Sequence, residues 1–271
     1  MLKPLQDVTF RQLRDFIYEK SGIFISDSKK YLLENRLPKR IQERNLGSYE
    51  DYLYLLLYGN TSDEQAKLFD VVTTNETFFF REPQQLDLFV EHLAPAIAKN
   101  QGGNSISIWS AACSTGEEPY TLSMLLLEKG ITVRKEILAS DISEETIDSA
   151  QKALYNSYSI RNVPPQYLKK YFKPNGQNHE LFPLVKNSVQ FANINLVDEK
   201  KMRFITGKDV IFCRNVLIYF DDKAKKKAVS LLYDSLKPGG YLIIGLSESL
   251  HNVTRAFKPL VINKTVVYQK A

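Results

Sequence analysis

The sequence has few cysteines and no long apolar run, and both absences limit what the protein can be. Two cysteines occur among 271 residues, too few for a disulfide framework, so we expect a reducing compartment, the cytoplasm. No apolar run approaches the roughly 18 residues that a membrane-spanning helix needs. The first ten residues, MLKPLQDVTF, contain no apolar signal core. We therefore expect a cytoplasmic protein without membrane insertion.

The overall composition is that of an ordinary globular protein. Hydrophobic residues make up 44% of the chain and charged residues 25%. The length suggests a main domain with a smaller partner domain. A net charge of +5 permits an acidic partner, either protein or nucleic acid, without choosing between them.

The hydrophobic pattern changes near residue 100. Before this point we find only helical periodicity, whereas apolar runs of strand length then alternate with helical stretches. Continuous apolar strands separated by helices indicate a mostly parallel, doubly wound α/β sheet covered on both faces. The predicted helices span 9–22, 29–44, 49–58, 63–72, 84–99, 117–129, 144–153 and 222–236. The predicted strands span 105–110, 135–140, 189–194, 209–213, 241–245 and 265–268.

The segment 155–188 interrupts this alternation, and we interpret it as an inserted subdomain. It contains the pair Pro164-Pro165, a short helical pattern around 167–172 and a turn at 174–176. Strand pairing is predicted around 182–185.

The first strand-to-helix turn, WSAACSTGEEPY at 109–120, is a candidate ligand site. Open α/β sheets bind ligands at the carboxyl ends of their strands. The turn contains only Gly116 rather than the three glycines of a dinucleotide-binding loop, and two glutamates follow. A pyrophosphate would meet two negative charges there. The turn is better suited to a ligand with an ammonium group.

The next predicted strand is followed by Asp141, which suits a ribose. An acid at a strand end can accept hydrogen bonds from ribose hydroxyls; the alternative is that Asp141 is a loop residue before a helix beginning near Ser143. S-adenosylmethionine combines a ribose with a zwitterionic tail. In TTNETFFFRE (73–82), Arg81 can bind the tail carboxylate bidentately; the alternative is a helix end that packs three phenylalanines on the core.

At this point the sequence resembles the CheR-type chemotaxis receptor methyltransferases. Four blocks carry the resemblance, and their order and separation match over nearly the whole chain: TTNETFFFRE (73–82), SAACSTGEEPY (110–120), FCRNVLIYF (212–220) and LKPGGYLIIGLSESL (236–250). The resemblance implies an all-helical N-terminal domain over 1–82. It also implies a seven-stranded, Rossmann-like methyltransferase domain over 83–271, with a small antiparallel β insertion at about 155–188.

The resemblance further implies which residues form the site. S-adenosylmethionine is the expected cofactor, S-adenosylhomocysteine the product, and no metal is predicted. Tyr219 is expected near the transferred methyl group and Arg81 at the methionine end, and we consider these two catalytic. Glu117 is expected to hold the amino group and Asp141 the ribose. The remaining expected cofactor contacts are Asn75, Thr77, Asn195 and Leu196 (at the adenine), Arg214 and Asn215.

The implied reaction is methyl esterification of glutamate side chains on a chemoreceptor. A carboxylate with a pKa of about 4.3 is already ionised at neutral pH, so no general base is needed. His92, His179 and His251, the three histidines, lie outside the proposed site.

A stripe of arginines is the predicted receptor contact. Arg36, Arg40 and Arg44 share one helical face, although Pro38 lies within the stripe. A charge run is usually a solvated face, but the resemblance favours contact with the acidic, helical receptor. We do not expect the insertion to tether a receptor pentapeptide, and we expect a monomer.

Two other functions compete with this interpretation. A nucleic-acid methyltransferase would fit the basic charge, but the segment NVPPQY at 162–167 does not match the Asn-Pro-Pro-aromatic motif of amino-directed enzymes. A non-enzymatic, cofactor-sensing adaptor is disfavoured by the presence of Arg81, Asn215 and Tyr219. We therefore expect no nucleic-acid partner. Cys113 and Cys213 are expected to be buried, small hydrophobic residues.

Overall fold

The N-terminal part of the protein is entirely helical. The structure is a computed structural model that describes residues 2–59, 62–100 and 105–271. Its first helices are α1 (Asp7–Ser21), α2 (Lys30–Arg36), α3 (Pro38–Glu43), α4 (Tyr49–Tyr58) and α5 (Ser62–Val72). Gly22 ends α1 in the left-handed conformation, with φ of 76°. Ser48 caps α4 by accepting a hydrogen bond from the amide of Asp51 at 3.0 Å.

Proline divides the helix predicted over 29–44. Pro38 has no amide hydrogen and occupies the first position of α3, where none is needed. The apolar faces of α1 to α5 pack on one another around a common core that includes Phe10, Leu13, Ile17, Leu33, Leu37, Tyr52 and Leu68.

The helix predicted over 84–99 consists of three consecutive segments. These are α6 (Pro83–Leu88), a π-helical turn (Phe89–Leu93) and α7 (Ala94–Asn100). Pro95 lies in the first turn of α7, where its missing amide hydrogen is tolerated. The π-helical turn absorbs the interruption without ending the helix.

A seven-stranded sheet forms the centre of the larger part. The strands outside the insertion are β1 (Ser105–Ala111), β2 (Arg134–Asp141), β6 (Val189–Asn193), β7 (Lys208–Cys213), β8 (Leu236–Ile244), β9 (Phe257–Ile262) and β10 (Thr265–Lys270). Their order is β6-β2-β1-β7-β8-β10-β9. The strands β6, β2, β1, β7 and β8 are parallel, and β10 is antiparallel to both β8 and β9. The mostly parallel, doubly wound sheet predicted from the sequence is confirmed; β9 was missed.

The helices that connect these strands are α8 (Glu117–Glu128), α9 (Glu144–Lys152), α10 (Pro165–Tyr171), α11 (Pro183–Lys186), α12 (Glu199–Met202) and α13 (Asp222–Ser235). From β1 the chain continues outward to β2 and β6, and it later returns on the other side of β1 as β7 and β8. The connections therefore change direction between β1 and β7. Such a switch point opens a crevice at the carboxyl ends of the strands.

The insertion contains the small antiparallel sheet implied by the resemblance. Its strands are β3 (Leu154–Tyr155), β4 (Phe172–Asn175) and β5 (Asn178–Leu181), in the order β3-β5-β4. The strand pairing predicted around 182–185 is wrong, because these residues enter the short helix α11. Pro183 occupies the first helical position, where proline is favoured, and it cannot donate to a strand partner.

In the part of the chain that the structure describes, no helix combines the length and the apolar character required to traverse a bilayer.

Candidate functional site

A cavity opens at the switch point, at the carboxyl ends of β1, β2 and β7. All but one of the residues predicted at the site contribute to its wall: Asn75, Thr77, Arg81, Asp141, Asn195, Leu196, Arg214, Asn215 and Tyr219. The exception is Glu117. Ser21, Ile23 and Val72 from the N-terminal helical part also line the cavity.

The loop after β1 is shaped to bring its backbone against the cavity. Ala112, Ser114 and Gly116 have φ values of 58°, 50° and 91°, in the left-handed region. At Gly116 a Cβ would lie 2.8 Å from the Cβ of Ala150, so a larger residue would clash. The left-handed turns direct the Ser114 amide at Asp141 Oδ2, 2.8 Å away. The small residues of this loop thus let its backbone pack closely beside the cavity.

Asp141 lies at the end of β2 and is held by two amides. Its Oδ2 accepts from Ser114 and its Oδ1 from the Ser143 amide at 3.0 Å. Burial raises the pKa of this carboxyl group, while the two amide hydrogen bonds oppose the shift. Each carboxylate oxygen keeps a further lone pair. Asp141 can therefore accept hydrogen bonds from two neighbouring hydroxyl groups of a sugar.

A residue of the helical part supports the Asp141 loop from behind. Asp70, in α5, accepts a hydrogen bond from Ser143 Oγ at 2.8 Å and another from the Glu145 amide at 3.1 Å. Asp70 thereby satisfies the amino end of α9, where a negative charge is favourable. The contact links the helical part directly to the turn that carries Asp141.

The structure places the first glutamate after Gly116 away from the cavity. Glu117 is only 1% exposed and does not line the cavity. Its carboxylate accepts from Thr115 Oγ1 at 2.7 Å and Ser159 Oγ at 3.0 Å, and burial raises its pKa. The neighbouring Glu118 lines the cavity instead. Successive helical residues point about 100° apart, so only one of the two can face the ligand.

Arg214 is the centre of a buried charge network beside the cavity. Its guanidinium pairs with Glu118 at 2.9 Å and with Glu82 at 3.1 Å, and it donates to the carbonyl of Arg81 at 2.6 Å. The side chain is 4% exposed. Its Nε is buried and has no hydrogen-bond partner among the described residues. A buried donor at the wall of a cavity suits a ligand that carries an acceptor.

Two further glutamates organise the loops after β7 and β8. Burial opposes ionisation of Glu82, but the Arg214 charge and several hydrogen bonds outweigh burial and hold its pKa below the usual value. Glu248 Oε2 accepts the amides of Asn215 at 2.9 Å and Gly245 at 2.7 Å. At Gly245 a Cβ would lie 2.7 Å from Asn215 Nδ2. Sequence reasoning missed both glutamates, although they lie within the quoted blocks.

Arg81 is positioned at the rim of the cavity by its own loop. Its Nη1 donates to the carbonyl of Glu76 at 2.9 Å, and its guanidinium lies 5.7 Å from the centroid of the Phe78 ring. The side chain is half-exposed. The remaining guanidinium donors can bind a carboxylate in the cavity.

The helical part forms one wall of the cavity through backbone contacts. Asn195 Nδ2 donates to the carbonyl of Lys20 at 2.6 Å. The Phe24 amide donates to the carbonyl of Tyr219 at 2.8 Å. Ile23 forms an isolated antiparallel bridge with Phe220. Asn195, predicted at the adenine, is thus held by the last turn of α1, and Tyr219, predicted at the reacting methyl, by the segment that follows α1.

The arginine stripe is turned inward rather than toward solvent. Arg36 donates to the carbonyls of Val72 and Thr73, directly before the cavity-lining Asn75. Arg40 binds the buried carboxylate of Glu64 through two nitrogens, at 2.7 and 3.1 Å. The expectation that all three arginines face a partner is therefore not supported for Arg36 and Arg40.

Arg44, the third member of the stripe, also approaches Glu64, at 3.3 Å, although its side chain is 44% exposed.

Both cysteines are buried, as predicted, and burial raises the pKa of the Cys113 and Cys213 thiols well above the usual value. Neither thiol is therefore a reactive thiolate at neutral pH.

Family models match both parts of the chain. "CheR methyltransferase, SAM binding domain" covers residues 75–266, and "CheR methyltransferase, all-alpha domain" covers residues 9–73. Chemotaxis protein methyltransferase 2 of Vibrio cholerae is 37% identical over 270 residues, covering 98% of this chain and 94% of the relative. The chemotaxis protein methyltransferase of Escherichia coli is 36% identical over 260 residues, covering 93% and 88%.

Likeness to solved structures is weaker. Magnesium protoporphyrin IX methyltransferase of Synechocystis, with bound S-adenosylmethionine, matches with a TM-score of 0.38 and 13% identity, covering 80% of this chain and 91% of that one. A match at this level carries no conclusion about the site.

The residues of the cavity fit the cofactor of this family. Asp141 suits the ribose, and Arg81 and the buried Arg214 Nε offer donors for the tail carboxylate. Glu118 is a carboxylate for the ammonium group. The comparisons point to the same cofactor as the cavity. Two family models together cover most of the chain, and relatives above 30% identity match nearly its full length. The chain belongs to the CheR methyltransferase family and is an S-adenosylmethionine-dependent methyltransferase of the chemotaxis type.

Proposed function

We propose that this protein forms methyl esters on glutamate side chains of a chemoreceptor. One observation carries the choice of acceptor. Among the described residues that line the cavity there is no histidine and no lysine, the usual bases for deprotonating an acceptor near neutral pH. A glutamate carboxylate, with a pKa of about 4.3, needs no such base. The names of the relatives support a chemotaxis substrate.

We assign the cofactor contacts as the sequence predicted, with one replacement. Glu118 takes the role first given to Glu117, because Glu118 faces the cavity. The other proposed contacts are Asp141 at the ribose, Asn195 and Leu196 at the adenine, Arg81 at the tail carboxylate, and Asn75 and Thr77 along the tail. Arg214 and Asn215 remain proposed cofactor contacts. Arg214 also holds Glu82 and Glu118 in place, and Asn215 donates to Glu82.

When bound, S-adenosylmethionine would supply an electrophilic methyl group: an acceptor carboxylate oxygen would bond to the methyl carbon as the S–CH3 bond breaks, with S-adenosylhomocysteine as the leaving group. The protein's contribution is positioning and exclusion of water. Tyr219, at the cavity wall, can donate one hydrogen bond to the acceptor carboxylate. A single neutral donor orients the acceptor carboxylate and lowers its nucleophilicity less than a cationic donor would.

This proposal also includes a domain boundary between residues 82 and 83 and a monomeric state. We further propose that the protein acts in the cytoplasm, where we place the receptor's helical bundle. Because Arg36 and Arg40 are engaged internally, we no longer assign the receptor contact to them. Arg44, which is partly exposed, is retained.

The test is incubation of the purified protein with methyl-labelled cofactor and chemoreceptor-containing membranes, with RNA as a parallel acceptor. We expect base-labile label on the receptor, the signature of an ester. Label on RNA would instead indicate a nucleic-acid methyltransferase. Calorimetric binding of S-adenosylhomocysteine without any label would indicate a cofactor-sensing adaptor. An Asp141→Asn variant serves as the control, because it replaces one of the two accepting oxygens at the ribose with a donor.

A further inference from the structure

Three exposed apolar residues lie on segments that adjoin the cavity near Tyr219, and we call them the apolar rim. Phe24 is 50% exposed, Ile218 53% and Leu246 49%. Single exposed apolar residues are ordinary on a protein surface. These three, however, come from three separate segments of the chain that hydrogen bonds join near Tyr219. An exposed apolar group of this kind marks a binding surface.

Backbone contacts fix the rim around Tyr219. Ile218 directly precedes Tyr219, and the Phe24 amide donates to the Tyr219 carbonyl at 2.8 Å. Glu248 joins the third segment to the first two. Its Oε1 accepts the Ile218 amide at 3.2 Å, and its Oε2 accepts the amide of Gly245, the residue before Leu246, at 2.7 Å. The rim is therefore a rigid feature of the entrance, built by the same carboxylate that orders Asn215.

We propose that the apolar rim binds the receptor helix that presents the acceptor glutamate, through apolar side chains three or four residues to either side of it. This inference rests on the proposed function. A glutamate side chain is short, so its helix must come close to the entrance for the carboxylate to reach Tyr219. Residues three and four positions away share the face of the acceptor and meet the rim.

The rim also serves the chemistry of the site. When a helix covers it, apolar surface replaces water at the entrance, and the acceptor carboxylate loses part of its hydration. A charged residue on the same helical face would lose its own hydration at the rim without finding a partner. The rim therefore selects which glutamates of a helix are modified, while the cavity residues bind the cofactor.

The experiment compares rim variants with a matched control. Ile218→Ser and Leu246→Ser, alone and combined, remove apolar side chains that are about half exposed, so folding should survive. Val261→Ser removes an equally apolar side chain, 72% exposed, from β9 at the far edge of the sheet. We measure KM and kcat with the cytoplasmic fragment of a chemoreceptor from the same organism, and the Kd of S-adenosylhomocysteine by calorimetry.

Each single rim variant should raise KM for the fragment about fivefold, and the double variant more than tenfold. The Kd for S-adenosylhomocysteine should not change more than about twofold, kcat should fall by a smaller factor than KM rises, and Val261→Ser should match the wild type. In the fragment, serine in place of the apolar residues flanking the acceptor should raise KM for the wild-type enzyme. In the double rim variant, the serine changes in the fragment should raise KM little further, because both sets of changes remove the same contact.

The inference is overturned by an unchanged KM in the double variant, or by an equal rise in Val261→Ser. It is also overturned if the rim and fragment changes add fully, or if the rim variants weaken S-adenosylhomocysteine binding in proportion to KM. Failure of the proposed function would look different, because the wild-type enzyme would then place no label on the fragment.

Discussion

Replacing Arg214 by methionine tests whether the buried charge network holds the loops of the cavity. The change removes the only cation that contacts Glu82 and Glu118 among the described residues. Both carboxylates would remain near each other in a largely buried position. A buried carboxylate without its counter-ion is costly because little water reaches it.

The size of the effect follows from burial. The Arg214 side chain is 4% exposed, and those of Glu82 and Glu118 are 16% and 14% exposed. Breaking a buried pair by removing one partner costs about 3–5 kcal/mol. Because both glutamates keep some contact with water, we expect the lower end, about 3 kcal/mol of unfolding free energy. For a protein of this size this corresponds to a Tm about 6–12 °C lower.

The loss of unfolding free energy in the Arg214→Met variant should depend on pH. The folded-state pKa of Glu82 is depressed, so the ionised carboxylate contributes stability at neutral pH that the wild type loses as pH falls through that pKa. In the variant the cation is absent and only the hydrogen bonds from Asn215 and the Leu246 amide still oppose burial, so the pKa of Glu82 rises and the carboxyl group becomes protonated more readily. The Tm difference between variant and wild type should therefore narrow between about pH 7.5 and pH 5.

Thermal unfolding followed by circular dichroism measures both effects. Glu118→Gln added to Arg214→Met should restore at least about 1 kcal/mol, since it removes one of the two uncompensated charges. Lys227→Met is a suitable control, because Lys227 forms a surface ion pair with Glu199 at 3.0 Å and should change stability little. A loss below about 1 kcal/mol, or one that neither acid nor Glu118→Gln relieves, would refute the reasoning.

Three further predictions concern the cofactor and the acceptor. Tyr219→Phe should slow single-turnover methylation by about tenfold or more while leaving S-adenosylhomocysteine affinity within about twofold; loss of binding would contradict the orienting role. Asp141→Asn should weaken S-adenosylhomocysteine at least tenfold in calorimetry, and an analogue without ribose hydroxyls should show no such difference. Asp70→Ala should also weaken binding, by about threefold to tenfold, whereas Asp70→Asn should largely retain it, because an amide oxygen can still accept from Ser143. Equal affinity of the Asp70→Ala protein and the wild type would remove the supporting role of that contact.

The sequence predicted those parts of the fold whose signals are local. Asp141 was found because an acid directly follows an apolar strand, and the loop at Gly116 because small residues link a strand to a helix. The short apolar run at 182–185 was misread as a strand, since such runs are ambiguous. Pro183 was the available signal for a helix start. The strand β9 was missed because Lys258 and Pro259 obscure its pattern.

At the site, the sequence could not place those residues whose orientation depends on the three-dimensional geometry. A shift of one position rotates a helical side chain by about 100°, so periodicity could not separate Glu117 from Glu118. Similarly, the partner of Arg40 is Glu64, 24 residues further along the chain. No local pattern indicates whether an arginine stripe faces solvent or a buried acid on another helix.

The wall that the N-terminal helices give the cavity has a consequence for how such an enzyme can diversify. Lys20 and Phe24 hold Asn195 and Tyr219 through backbone atoms, and Asp70 supports the turn of Asp141. The helical part, through whose Arg44 we propose the receptor contact, cannot be exchanged freely between relatives as an accessory module could. Each substitution that retunes it for a new receptor must also preserve the shape of the methyl-donor pocket.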